Sequence, residues 1–131
     1  MRNSLLALGL AIALLFGMAT PPESFAQAPT VINVLAIDVN GDLDGFLDMM
    51  KKIRKITERL GSKGTARVWQ ATLSGDQTGT IFVAVEHPSL VSMAQDNAKL
   101  QADSKWQDIV KKFNKKGMDV LSNSVSMEIT P

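Results

Sequence analysis

The sequence predicts an α+β domain with elements in the order β-α-β-β-α-β, the second helix split in two. Three observations predict it. Apolar residues recur at helical spacing in two stretches, Leu43 to Leu60 and Leu90 to Phe113. Four runs rich in β-branched residues flank those stretches. Asn-Gly, single glycines and a proline stand at the junctions, where turns need them. The 131 residues are 45% hydrophobic and 21% charged, which suits one globular domain rather than a disordered chain.

Val31 to Val39 (VINVLAIDV) reads as the first strand, nearly all apolar and therefore covered on both faces. Asn40-Gly41 makes a turn, and Asp42 caps a helix that begins at Leu43. Leu43, Phe46, Leu47, Met50, Ile53, Ile56 and Leu60 form the buried stripe of that helix. Its cations, Lys51, Lys52, Arg54, Lys55 and Arg59, lie towards the C-terminal end, where the macrodipole favours them. Gly61 stops it.

Thr65 to Leu73 and Thr80 to His87 read as a hairpin joined by the loop Ser74–Gly79. A tight loop would set Leu73 opposite Thr80 and Arg67 opposite Glu86, a favourable cross-strand charge pair. After Pro88, Ser89 caps the next helix, and Asp103 acts as a fresh cap, so the helix breaks near Ala102. Trp106, Ile109, Val110 and Phe113 then form a second stripe, with Trp106 at its head as an anchor. Gly117 ends the helix. Met118 to Ile129 alternates, with Leu121, Val125, Met127 and Ile129 on the drier side.

This order is the ferredoxin-like arrangement, with helices on one face of the sheet only. The other face of so apolar a first strand needs a cover that the chain does not supply. A second copy of the sheet is the economical one, so the expected assembly is a homodimer.

The first 26 residues stand apart from this fold. Arg2 is followed by the uncharged run Leu5 to Ala19, short for a membrane span of roughly 20 residues but suited to a secretory signal. Ser24-Phe25-Ala26 has the spacing of a cleavage site. The expected boundaries are a signal peptide over 1–26 and one domain over 27–131, located in the periplasm or secreted. An uncleaved anchor is the alternative reading of the same run.

Composition excludes several chemistries. The chain has no cysteine, hence no disulfide framework, no thiolate zinc site and no cysteine nucleophile. A single histidine precludes a multi-histidine metal centre within one chain. A formal charge of +1 offers no overall field for nucleic acid or an anionic membrane. The expected partners are a second copy and a small-molecule ligand, without nucleic acid, without a membrane after signal cleavage, and with no cofactor.

Ala66-Arg67-Val68-Trp69, Thr78-Gly79-Thr80, Glu86-His87-Pro88-Ser89-Leu90, Lys99-Leu100-Gln101-Ala102-Asp103 and Trp106-Gln107 carry a resemblance that spans roughly residues 31 to 129. In them the chain resembles small dimeric α/β-barrel proteins, especially NIPSNAP-like members. The resemblance implies a ferredoxin-like subunit that pairs into a barrel. The superfamily includes cofactor-free monooxygenases, haem-degrading enzymes, dye-decolourising enzymes and members with no known reaction, so fold alone does not select a chemistry.

His87 is the one candidate catalytic residue, a proton shuttle or haem ligand at the rim of a pocket between sheet and helices, with a packing role as the alternative reading. Haem-degrading relatives carry their ligand on a helix, whereas His87 ends a strand. Arg67, Trp69 and Glu86 share one face in the expected register, and with His87 they form the candidate ligand-binding set, the alternative being a salt pair beside a core or interface tryptophan. Asn40-x-Asp42-x-Asp44-Gly45 with Asp48 resembles the start of a calcium loop, but Lys51 stands where the bidentate glutamate belongs. A capped helix start explains the same acids, and no metal site is expected. The lysines after Ile109 read as a solvated helix end. The function expected is an exported homodimer that binds a small organic ligand. The alternatives are a cofactor-independent monooxygenase or isomerase acting on an aromatic substrate, and a haem-binding protein.

Overall fold

A computed structural model describes residues 28–129, so the segment read as a signal peptide lies outside the described residues. The elements are β1 (Val31–Asp38), α1 (Leu43–Arg59), β2 (Thr65–Gln70), β3 (Ile81–His87), α2 (Leu90–Ala102), α3 (Ser104–Lys115) and β4 (Asp119–Met127). The strands form one sheet in the order β2-β3-β1-β4, and each neighbouring pair is antiparallel. This is the predicted ferredoxin-like topology.

The turns follow from the residues at them. Asn40 and Gly41 both have positive φ (53° and 75°), which these two residue types tolerate best, and Asp42 N–H closes the turn on Val39 O at 3.0 Å. Asp42 then accepts the Gly45 N–H at 2.9 Å and starts α1. Gly61, at φ 70°, ends it: Gly61 N–H reaches Glu58 O and Ser62 N–H reaches Thr57 O, the paired bonds of a glycine-terminated helix. Asp103 both ends α2 and caps α3 through Trp106 N–H at 3.1 Å, and it holds Arg59 of α1 at 2.8 Å. The break in the second helix is therefore a cap that ties three helices together.

The helices cover one face of the sheet. Leu35 and Ile37 of β1, with Ile81 and Val83 of β3, pack against Phe46, Met49 and Ile56 of α1 and Ile109 and Phe113 of α3. Trp106 and Val110 extend this layer onto Ile53, Leu100 and Val120. Trp106 is 7% exposed, consistent with its predicted role as an anchor.

Three expectations are corrected. The hairpin register is shifted by two residues: Arg67 faces Ala84, Thr65 faces Glu86, and β2 stops at Gln70. Ala71, Thr72 and Leu73, expected in the strand, instead join the loop that holds the 3₁₀ turn Gly75–Gln77, and Leu73 is 98% exposed. Because the shift is even, every side chain keeps its predicted face. The alternation of β4 is interrupted by a bulge opposite Ala36 and Ile37, so Val120 takes the inward place and Leu121 is exposed. Ile129, expected on the drier side, lies past the strand and is exposed as well.

Candidate functional site

The helix-covered face of the sheet carries an arc of polar side chains at one end. In register, His87 pairs with Val31, Asn33 pairs with both Val85 and Val125, and Leu35 pairs with Asn123. Asn33 is thus the diagonal neighbour of His87 on one side and of Asn123 on the other, a spacing of roughly 7–8 Å that side chains can bridge. Above this arc runs α2, whose Met93 packs on Val31. One helical turn later on the same helix comes Asn97, which is also not exposed.

Four atoms here are buried and have no hydrogen-bond partner: Asn33 Oδ1, His87 Nδ1, Asn97 Nδ2 and Asn123 Oδ1. Buried polar atoms are nearly always paired, so four without a partner, three of them on one face of the sheet, need a cause. An amide can turn either its oxygen or its nitrogen inward, so the arc can both donate and accept.

His87 sits at the end of the arc. It is 5% exposed, which corrects its expected place at a pocket rim. Its Nδ1 lies 3.3 Å from Asp96 Oδ2 of α2 but is not aimed along a hydrogen bond. The same Asp96 oxygen accepts from Ser62 Oγ at 2.7 Å and Lys63 N–H at 3.1 Å, which fixes it on the α1–β2 loop instead. Burial lowers the His87 pKa below its ordinary value, and the nearby Asp96 charge opposes that shift without cancelling it. The imidazole is therefore neutral at pH 7. Gly64 closes the space beside it: a Cβ there would lie 2.8 Å from His87 Cε1 and 3.0 Å from Val85 Cγ1.

The predicted ligand-binding set is divided by the sheet. Arg67, Trp69 and Glu86 do share a face, as expected, but it is the face away from the helices; adjacent residues Glu86 and His87 point to opposite sides. Arg67 and Glu86 are both exposed, and no ion pair joins them among the described residues. Trp69 is half exposed beside Phe82, its partner in register. Within one subunit, His87 and this trio cannot surround the same ligand.

The acids of the calcium-like stretch serve the helix start. Asp42 caps α1 and binds Lys116 Nζ at 2.7 Å, which holds its carboxyl below the usual range. Asn40 donates to Lys116 O at 3.0 Å. These contacts join the first turn to the end of α3.

Sequence reasoning missed Asn33, Asn97 and Asn123. Asn33 carried a signal, being the lone amide in an otherwise apolar strand. Asn123 was hidden between two serines, on the side of β4 that was expected to be apolar. Asn97 looked like any polar residue on an amphipathic helix.

The fold and the polar arc define a ferredoxin-like α+β domain. The chain matches no protein-family model and no curated protein. Its fold is similar to that of a solved NIPSNAP family protein from Agrobacterium tumefaciens str. C58, with a TM-score of 0.60 over 87% of this chain and 92% of that one. At 10% identity the likeness is one of fold alone.

Proposed function

We propose that the chain is an exported, homodimeric ligand-binding domain, whose ligand is a small polar organic molecule held between the sheet and α2. The observation that carries the ligand site is the set of four unpartnered polar atoms on Asn33, His87, Asn97 and Asn123. Leaving such atoms unpaired costs about 1–3 kcal/mol each, so a molecule that donates to and accepts from them gains hydrogen bonds that the chain itself does not make. Thermal-shift measurements with small carboxylates, amides and polyols test the reading. One of these classes should raise the melting temperature, and Asn33→Leu with Asn123→Leu should remove that response. A crystal structure with ordered water on all four atoms, together with no class-specific shift, would defeat it.

The homodimer rests on the opposite face. Ile32, Val34 and Phe82 are only partly covered there, and half-exposed Trp69 stands beside them. A two-fold axis makes such a face meet itself, and it lets Arg67 of one protomer approach the partner's Glu86. Sedimentation at micromolar concentration should give twice the subunit mass. Arg67→Glu should weaken the dimer, and adding Glu86→Arg should restore it. A monomer in the native protein, or a charge swap without rescue, rejects this assembly. Export rests on the Leu5–Ala19 run and the Ser24-Phe25-Ala26 spacing. N-terminal sequencing of the protein recovered outside the cytoplasm should begin at Gln27, and an intact Met1 in a membrane fraction would contradict it.

A second reading, a cofactor-independent monooxygenase or isomerase acting on an aromatic substrate, is favoured by one observation: a His87 whose burial favours the neutral imidazole, 3.3 Å from Asp96, has the protonation state of a general base. Substrate turnover abolished by His87→Gln, with ligand affinity retained, is the outcome it requires. Haem fits the residues poorly, because an axial ligand needs an open side for the macrocycle and His87 is enclosed.

A further inference from the structure

The helix layer has a second feature, distant in the fold from the polar arc. Between α1 and α3 lies an open groove of about 500 Å³, within the size range of small-molecule sites, about 300–1,000 Å³. Its floor is apolar and narrow, where the edges of the otherwise buried Met49 and Ile56 of α1 and Ile109 of α3 come up between the helices. Its rim is cationic, with Lys52 and Lys55 on one side and Lys105 and Lys112 on the other. None of these four lysines enters an ion pair among the described residues. Arg59 also lines the groove, but Asp103 occupies it at 2.8 Å. Asp108 is the only acid in the wall.

The charge on this side is not a reflection of the whole chain. α1 and α3 together hold nine of the fourteen cations and only four of the thirteen acids. A net charge of +1 thus conceals a positive helix pair balanced by acids elsewhere. Salt bridges could have neutralised the four rim lysines and do not. Their methylene stems extend the apolar floor upwards, while the ammonium groups stand at the edge. An apolar trough rimmed by unpaired ammonium groups is complementary to one ligand class.

We propose that the α1–α3 groove binds a free amphiphilic anion, an aliphatic chain ending in a carboxylate or a similar acidic head. The chain lies between the lysine stems, over the edges of Met49, Ile56 and Ile109, and the head group meets the ammonium groups across the mouth. Hydrogen bonds to charged groups are worth more than neutral ones, so the head group contributes specificity as well as attraction. The site is independent of the polar arc, which lies under α2.

Decanoate below its micelle concentration is the probe, followed by the methyl resonances of Ile56 and Ile109. These should shift saturably, and less so as salt rises. The double variant Lys55→Glu/Lys112→Glu should bind about tenfold more weakly or worse, as expected for losing charged hydrogen bonds. Lys55→Gln/Lys112→Gln should fall between, and both variants should keep the far-ultraviolet circular dichroism of the parent. Decanol binding as well as decanoate would overturn the proposal, since the lysines would then play no part. Inorganic phosphate producing the same shifts would reduce the groove to a plain anion patch and also overturn it. Sedimentation with anionic vesicles but no response to monomeric decanoate would assign the face to a lipid surface instead.

Discussion

The helix layer has two halves that are built differently. α1 and α3 bury seven residues between them, Phe46, Met49, Ile56, Trp106, Ile109, Val110 and Phe113, against the middle of the sheet. α2 buries Met93 alone, over Val31, and its other inward groups include Asp96 and Asn97. The first half is an apolar contact of the kind that stabilises a small domain in proportion to the area it removes from water. The second half brings polar groups under cover and leaves several unpaired. Stability and recognition are thus separated along one face of one sheet, and substitutions should divide the same way.

The largest effect is expected in the α1–α3 half. Trp106→Ala removes a ring packed on Ile53, Leu100 and Val120, and it should lower stability by about 3–5 kcal/mol. Chemical denaturation measures this directly. A midpoint equal to that of the native protein would mean that the contrast between the halves is misdrawn.

Next in size is Gly64→Ala, at the border of the α2 half. The added Cβ meets His87 Cε1 at 2.8 Å and Val85 Cγ1 at 3.0 Å, both in a packed interior. Overpacking of this kind costs about 1–3 kcal/mol. If the cost is due to crowding His87, the double change Gly64→Ala/His87→Ala should recover part of it, and additive losses would show that the two sites do not touch in solution.

These two positions also show how legible the molecule was. The stripe headed by Trp106 could be read from spacing alone, because an amphipathic helix advertises its buried face every three or four residues. The shared cap at Asp103 was legible for a similar local reason. The hairpin register was not, since the length of a loop depends on whether it adopts a turn of its own, as Gly75–Gln77 does. The bulge that turns Leu121 outward is invisible to a period-two pattern. The polar arc was the least legible part. It depends on three strands and a helix meeting, and no stretch of sequence contains more than one of its members.

A smaller effect concerns one proton on His87. Its pKa is lowered in the folded state by burial, so the native protein binds this proton less readily than the unfolded chain, whose histidine titrates near 6.5. The contribution is complete above that pH and is lost as the pH falls below it, until the native imidazole is itself protonated. Denaturation midpoints should therefore decline between pH 7 and pH 5, and His87→Phe should flatten the decline. An unchanged slope in His87→Phe would assign the pH dependence to other groups. Asp42 and Asp103, both lowered by cationic partners, contribute fully well above 3.8 and lose that contribution only as the pH falls through more acidic values.

The smallest change in stability is expected at Asn33, where even the sign is informative. Its Oδ1 is buried without a partner, and leucine has nearly the same shape without the polar atoms. Replacing an unsatisfied polar group by an apolar one of similar shape is close to neutral or stabilising. Asn33→Leu should then leave the denaturation midpoint unchanged or raise it slightly, while removing the thermal response to the polar ligand. A residue kept at some cost to stability is one whose use lies elsewhere. If Asn33→Leu instead destabilises by more than about 1 kcal/mol, as losing a satisfied hydrogen bond would, the amide already has a structural partner such as ordered water. The α2 half would in that case be a second core, only a wetter one, and the division between the two halves would disappear.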